Sequence, residues 1–282
     1  MESFNSTKSP DVFYPPVSES LIKVLVDFIK QETERFAIKK CVIGLSGGID
    51  SSVAAYLTQK AVGSNNLFGL LMPYKASSKD SITDALTVAN KLKIKTKVID
   101  VTDAADALVG NGKLDNVRRG NIIARTRMIY LYDYSFEKHA LVIGTGNKTE
   151  LLLGYTTLYG DSASAINPLG DLYKTQVWQL AGLLKIPKNI IKKKPSADLW
   201  IGQTDEGELG FTYEFVDKFL YYLIDCRYTD EELNKLGFKR DFIKRVKHII
   251  VRNQFKRVPP VIAKVSNRTI NVDFRYNRDW KS

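Results

Sequence analysis

Residues 44–51 read GLSGGIDS. An apolar run at 41–45 breaks into this glycine turn and reopens as a helical pattern from about residue 51, so the amides of Ser46, Gly47 and Gly48 converge on a helix N-terminus. Such a turn is an anion cradle. Asp50 falls in the first helical turn, where a carboxylate suits the helix dipole and can hold a divalent cation against whatever phosphate the loop grips. The chemistry implied is that of Mg²⁺ and a polyphosphate. The plainer reading is a strand-to-helix turn whose glycines only permit close packing. At about 7% usage per residue, the five fixed letters of SGGxDS arise by chance in about one chain of this length in two thousand. The loop is not of the GxxxxGK[ST] kind, because no lysine follows its second glycine.

Further polar groups could join that loop. Glycines at 144, 146, 154 and 160 mark a long, tightly turned segment that offers Glu150 and Asp161 as carboxylates. Lys174 opens a helical pattern, where its charge opposes the dipole, so it needs an anion to meet. Arg125 and Arg127 lie two apart on a helix and point in different directions, one toward solvent or a carboxylate, the other toward a ligand phosphate. Ser196 and Asp198 follow Pro195 in an extended or turn segment. Met72 and Tyr74 fit either an adenine pocket or ordinary core filling.

These residues need a frame that gathers them. Ser18 is a suitable N-cap for a helix to about residue 36. Strands are expected at 41–45, 67–72, 96–101 and 140–144, separated by helices at 51–61, 79–93 and 114–138. Alternation of this kind predicts a doubly wound parallel sheet, with ligands at the carboxyl ends of its strands. The 114–138 pattern is apolar on more than one face, as for a helix buried on two sides, by its own sheet and by another subunit. A helix at 174–184 follows. From residue 211 onward, patterns at 212–225, 229–236 and 239–253 predict a helical annex without strands. The expected organisation is a polar, proline-rich arm at 1–17, an α/β unit at 18–210 and an annex with a basic tail at 211–282.

Composition narrows the class. The chain has 282 residues, 44% hydrophobic and 26% charged, which is a folded protein with a full core. No apolar run approaches a membrane span and the start lacks a signal-peptide pattern, so the expectation is a cytoplasmic protein without membrane contact. Two cysteines far apart, Cys41 and Cys226, exclude a disulfide scaffold, a zinc ribbon and an iron–sulfur site. Net charge is +11, and the stretch from Arg227 to the end carries 15 Lys and Arg against 6 Asp and Glu. A basic tail suits nucleic acid, an anionic small substrate or a solvated helix face.

Several separated strings resolve the ambiguity. SGGIDS resembles the loop of the N-type ATP pyrophosphatases, which activate a carboxylate or carbonyl as its adenylate. ARTRM at 124–128, GTGNKTE at 144–150, LYGD at 158–161, PLGDLYKTQV at 168–177, PSADL at 195–199, DEGELGFTY at 205–213 and KRVPP at 256–260 together resemble one branch, the ammonia-dependent NAD synthetases. The resemblance covers about residues 18–265. It implies a Rossmann-like α/β fold of the adenine nucleotide alpha hydrolase type. It assigns ATP binding to Gly44, Leu45, Ser46, Gly47, Gly48, Ile49, Asp50, Ser51, Thr145, Lys174 and Ser196, and Mg²⁺ to Asp50 and Glu150. Arg125, acting from a neighbouring subunit of a homodimer, and the Phe255–Lys256 pair are implied as contacts to deamido-NAD. Three positions depart from the pattern: Phe255 replaces a histidine, Leu158 a lysine and Ala165 an aspartate, all on the dinucleotide side.

The implied reaction is the amidation of deamido-NAD by ammonia with ATP as co-substrate, giving NAD, AMP and pyrophosphate. Lys174 would neutralise departing charge, and Asp161 would bind deamido-NAD and take ammonium or its proton, or else only shape its loop. Nitrogen would come from free ammonia or a separate glutaminase. The competing readings are another adenylating amidotransferase or tRNA-thiolating enzyme, for which the cysteines are wrongly placed, and a nucleic-acid-binding module built on the basic tail.

Overall fold

The computed structural model describes residues 17–110, 114–200, 202–270 and 273. The expected arm at 1–17 therefore lies, apart from Val17, outside the described residues, as do residues 274–282 of the basic tail.

Helix α1 (Glu19–Arg35) leads into strand β1 (Lys40–Gly44), and α2 (Ile49–Val62) returns the chain to β2 (Leu67–Leu71). Then come α3 (Lys79–Leu92), the edge strand β3 (Lys95–Val98), α4 (Thr102–Val109), the long α5 (Asn116–Lys138) and β4 (Ala140–Ile143). The four strands form one parallel sheet in the order β3-β2-β1-β4, with Cys41 opposite Leu67 and Leu141. Strand residues alternate between faces. Cys41, Ile43, Leu67, Leu71 and Leu141 pack with α1, α2 and α3 in one core. Val42, Phe68, Leu70 and Val142 pack against α4 and α5 in another. The sheet is thus covered on both faces, the doubly wound α/β arrangement expected. Edge strand β3, KTKV, is exposed along its length, and its lysines discourage pairing with a further strand.

After β4 come α6 (Lys148–Leu153), a long loop, α7 (Lys174–Leu183), and two short helices, α8 (Lys188–Lys192) and α9 (Asp205–Leu209). Residues 165 and 166 run beside β4, with Ala165 N donating to the Val142 carbonyl at 2.9 Å. The C-terminal region is helical: α10 (Tyr213–Leu220), continued by a wider π turn to Asp225, then α11 (Asp230–Lys235) and α12 (Arg240–Arg252). It has its own aromatic core of Phe211, Phe219, Phe238 and Phe242, to which Leu153 of α6 and Tyr173 before α7 also belong. Through those two residues the annex rests on the helices that follow β4.

Three local expectations shift. Helix α2 begins at Ile49 rather than 51, β3 ends at Val98 rather than 101, and the segment after Gly146, read as continuous loop, contains α6. The signal for α6 is its reciprocal cap: Asn147 Oδ1 accepts from Glu150 N at 3.0 Å while Glu150 Oε2 accepts from Asn147 N at 3.3 Å.

Candidate active site

The carboxyl ends of β1, β2 and β4 open into a cavity of about 600 Å³ lined by the GLSGGIDS loop, Met72, Thr145, Glu150, Lys174 and Ser196, among others. The loop is tied to itself. Ser46 N donates to Ser51 Oγ at 3.3 Å, and Ser51 Oγ donates to the Gly48 carbonyl at 3.1 Å. Gly47 adopts φ +73°, and a β-carbon there would lie 2.1 Å from the Ser81 carbonyl oxygen, so only glycine fits. The N-cap of α2 is Gly48, with no side-chain cap, so the first-turn amides remain for an anion.

Lys174 is 2% exposed, and its Nζ sits between Asp50 Oδ2 at 2.5 Å and Glu150 Oε1 at 3.3 Å. Burial works against this ammonium, but the two carboxylates outweigh it and hold its pKa above the ordinary lysine value. The cluster has one carboxylate more than it has ammonium groups. Burial accordingly raises Glu150 above the usual carboxylate range, against the pull of Lys174. Asn147 fixes both acids: its side-chain amide donates to Asp50 Oδ1 at 3.0 Å and its backbone amide to Glu150 Oε2. The anion that Lys174 requires is thus supplied in part by the protein.

Two hard oxygen donors next to an uncapped helix N-terminus suit Mg²⁺, which takes one or two carboxylates and completes its shell with phosphate and water. Among the described residues no group of three acidic, histidine or cysteine side chains could hold a metal by itself. The donor set therefore fits an ion shared with a phosphate ligand.

Asp217 of α10 shows what the annex contributes. It is fully buried, and its Oδ1 accepts from Thr149 Oγ1 at 2.5 Å, while Oδ2 accepts from the amide and hydroxyl of Thr175, each at 2.8 Å. Thr149 Oγ1 in turn accepts from Lys174 N at 3.1 Å. One carboxylate thus holds the starts of α6 and α7, and with them Glu150 and Lys174. Burial pushes Asp217 up to about 6, although its hydrogen bonds from Thr149 and Thr175 favour the ionised form.

Asp205 lines the same cavity and is buried, its carboxylate accepting from Tyr213 OH at 3.0 Å and Tyr155 OH at 3.3 Å. Burial raises its pKa, opposed by Lys174. The Tyr213 ring lies 5.1 Å below the Lys174 ammonium. Glu208 accepts from Tyr155 OH at 2.7 Å and from Gln203 Nε2 at 3.1 Å. Asn147, Asp205, Glu208 and Asp217 escaped the sequence reading. Asn147 had a signal in the N-x-x-E cap; Asp217 had one in a carboxylate set among the apolar positions of α10.

The remaining expected residues divide. Thr145, Asp161, Ser196 and Lys256 line the cavity. Asp161 accepts from Thr156 Oγ1 at 2.7 Å and Thr157 N at 2.8 Å, so it shapes its own loop. Lys256 donates to the carbonyls of Gly154 at 2.7 Å and Thr156 at 2.8 Å, and Arg257 to those of Leu151 and Leu152 at the end of α6. Part of the basic tail therefore serves to cap α6 and hold the loop beyond it. Arg125 and Phe255 are exposed and lie outside the cavity; Arg125 Nε donates to the Leu158 carbonyl at 3.3 Å. Of Arg125 and Arg127, Arg127 faces the cavity.

Residues 21–260 match the NAD synthase family. An NH3-dependent NAD+ synthetase of Chlorobium phaeobacteroides is 51% identical over 259 residues, covering 92% of this chain and 94% of that protein. Among solved structures, the NH3-dependent NAD synthetase from Campylobacter jejuni, in complex with nitrate, superimposes with a TM-score of 0.75 at 37% identity, covering 87% of this chain and 99% of that one. The NMN synthetase from Francisella tularensis superimposes with a TM-score of 0.78 at 35% identity, over 87% and 98%. A parallel sheet with an uncapped glycine turn after its first strand, a lysine held between two acids, and this similarity along almost the whole chain agree: the chain belongs to the NAD synthase family.

Proposed function

We propose that the cavity activates the nicotinate carboxylate of deamido-NAD as its adenylate and passes the acyl group to ammonia, giving NAD, AMP and pyrophosphate. A carboxylate oxygen attacks the α-phosphorus of ATP, and pyrophosphate leaves with the bonding electron pair. Ammonia then attacks the carbonyl carbon, AMP leaves, and the ammonium so formed gives up a proton. The attacking carboxylate is already anionic, so the protein's task is to bring polyanions together and neutralise the charge that departs. Asp50 and Glu150 would hold Mg²⁺, which supplies Lewis-acid stabilisation of the phosphoryl oxygens. The uncapped amides of α2 take the phosphates, Lys174 meets the leaving pyrophosphate, and Thr145 and Ser196 line the ATP side. Asp161, beside Lys256 at the mouth of the 154–161 loop, is our candidate for ammonium. The observation that carries this reading is Lys174, buried between Asp50 and Glu150 at the N-terminus of α2.

A second copy of the chain completes the proposal. Helix α5 buries Ile123 and Ala124 but exposes Ile129 at 56% and Phe136 at 85%, and its Arg125 lies outside the cavity. A homodimer through α5 covers those apolar groups and lets Arg125 reach deamido-NAD across the interface. We take residues 18–210 as the catalytic unit and 211–282 as an annex packed on it, in the cytoplasm; no helix of the described residues is long and apolar enough to cross a membrane.

The similarity to an NMN synthetase makes a mononucleotide the competing substrate, and the placement of Phe255 outside the cavity favours testing it. Purified protein with ATP, Mg²⁺ and NH4Cl should form NAD from deamido-NAD. A higher kcat/KM with nicotinate mononucleotide would replace the dinucleotide reading, and no amide product from either would refute the amidation.

A further inference from the structure

Arg127 is a half-buried cavity cation that forms no ion pair among the described residues. Its Nε donates to the Met72 carbonyl at 2.9 Å, just beyond β2, and its Nη2 to Ser77 Oγ at 3.3 Å. Its Nη1 has no hydrogen-bond partner, and no carboxylate lies within ion-pair distance of the guanidinium, among the described residues. The other cations of the wall are engaged or exposed. Lys174 is held by Asp50 and Glu150, Lys193 by Asp84 at 2.9 Å, and Lys256 by two carbonyls, while Lys194 is exposed. A half-buried guanidinium anchored at one edge and open at the other is a preformed anion site, since arginine stays charged and cannot relieve its burial by losing a proton.

Sheet order decides which anion. Lys174 and Glu150 approach the phosphate loop from the β4 side, and Arg127 from the β2 side, with β1 and its loop between them. A triphosphate on the amides of α2 with its terminal phosphates toward Lys174 leaves its nucleoside end toward β2. On the proposed adenylation reading, we propose that Arg127 binds the nucleoside-proximal phosphoryl group, the one retained in AMP, through Nη1. The same contact would stabilise the charge on the non-bridging oxygens while the carboxylate oxygen bonds to that phosphorus and pyrophosphate departs, a charge that neither Lys174 nor its carboxylates reach. Asp161 and Asp198 are the charged groups that bear on Arg127 electrostatically.

Calorimetric titration of the full-length protein with AMP and with adenosine isolates this contact, because the two ligands differ only in the phosphoryl group. Wild-type protein should bind AMP more tightly than adenosine, and Arg127→Gln should lose about 10- to 100-fold of that preference with adenosine affinity unchanged. Arg127→Lys should keep part of it, and added guanidinium at tens of millimolar should restore AMP binding to Arg127→Ala. An unchanged AMP preference in Arg127→Gln overturns the assignment. So does a parallel loss of both ligands with no guanidinium rescue, which would make Arg127 a strut for the Met72–Ser77 turn. Amidation fails separately: an Arg127-dependent AMP preference in a protein that forms no NAD leaves this site standing, whereas NAD formation with an unmoved preference removes it alone.

Discussion

Replacing Asp217 by asparagine separates the charge of this buried carboxylate from its shape. In the folded protein burial lifts Asp217 from 3.8 to about 6. At 1.36 kcal/mol per tenfold, that difference is worth roughly 3 kcal/mol. The sign follows from proton counts. Between pH 6 and 4 the folded state holds a proton on Asp217 that the unfolded chain releases, so the stability this group contributes rises as pH falls and is lost as pH climbs through about 6. The asparagine side chain of Asp217→Asn is neutral throughout. Its carbonyl can still accept from the Thr175 amide, and its NH2 can donate to Thr149 Oγ1. Thermal unfolding of both proteins from pH 7.5 to 4.5 should therefore show wild type gaining relative to Asp217→Asn as pH falls. Over this window the gain should approach about 2 kcal/mol, since the remainder develops only below pH 4.5, or roughly 4 °C at about 2 °C per kcal/mol for a chain of this size. Groups common to both proteins cancel in the difference. A stability difference that stays constant within a few tenths of a kcal/mol across the window would show that the hydrogen bonds from Thr149 and Thr175 keep Asp217 ionised, and the assigned pKa would be wrong.

Asp50→Asn and Glu150→Gln should each lower deamido-NAD-dependent ATP–pyrophosphate exchange by at least ~100-fold with the fold intact, because each removes a donor from the proposed Mg²⁺ site; near-normal exchange at saturating Mg²⁺ would refute the metal assignment. Gly47→Ala places a β-carbon 2.1 Å from the Ser81 carbonyl oxygen, so ATP binding should fall below detection in a titration while circular dichroism stays close to wild type. Lys256→Ala should raise KM for deamido-NAD by about one to two decades and that for ATP little, since Lys256 pins the Gly154 and Thr156 carbonyls that lead to Asp161; an equal effect on both would displace the substrate site from this segment. Light scattering should find an active dimer of the 31.8 kDa chain, and an active monomer would refute the role given to α5.

How far the site could be read from the sequence depends on the range over which each part is assembled. The GLSGGIDS turn is legible because its strand, turn and helix are neighbours in the chain, and the chemistry proposed for it needs only glycines and a carboxylate in one turn. The cluster around Lys174 is not local. Its partners lie 124 residues away at Asp50 and 24 residues away at Glu150, and local periodicity carries no information about which loops meet at a sheet edge. Even so, the sequence marked two of these residues by their misfit. A lysine at the first turn of α7 opposes the helix dipole, and an aspartate beside Val216 sits among the apolar positions of α10. Each is unfavourable for its own helix and would be selected against if the helix were all that mattered. Lys174 is stabilised by Asp50 and Glu150, and Asp217 by Thr149 and Thr175, so each local cost is offset at the point where the annex, α6 and α7 meet. Asp205 gave no such mark, because an acid in the first turn of α9 already suits its helix. Its burial against Tyr155 and Tyr213 follows only from how α9 meets the segment after α6 and the start of α10.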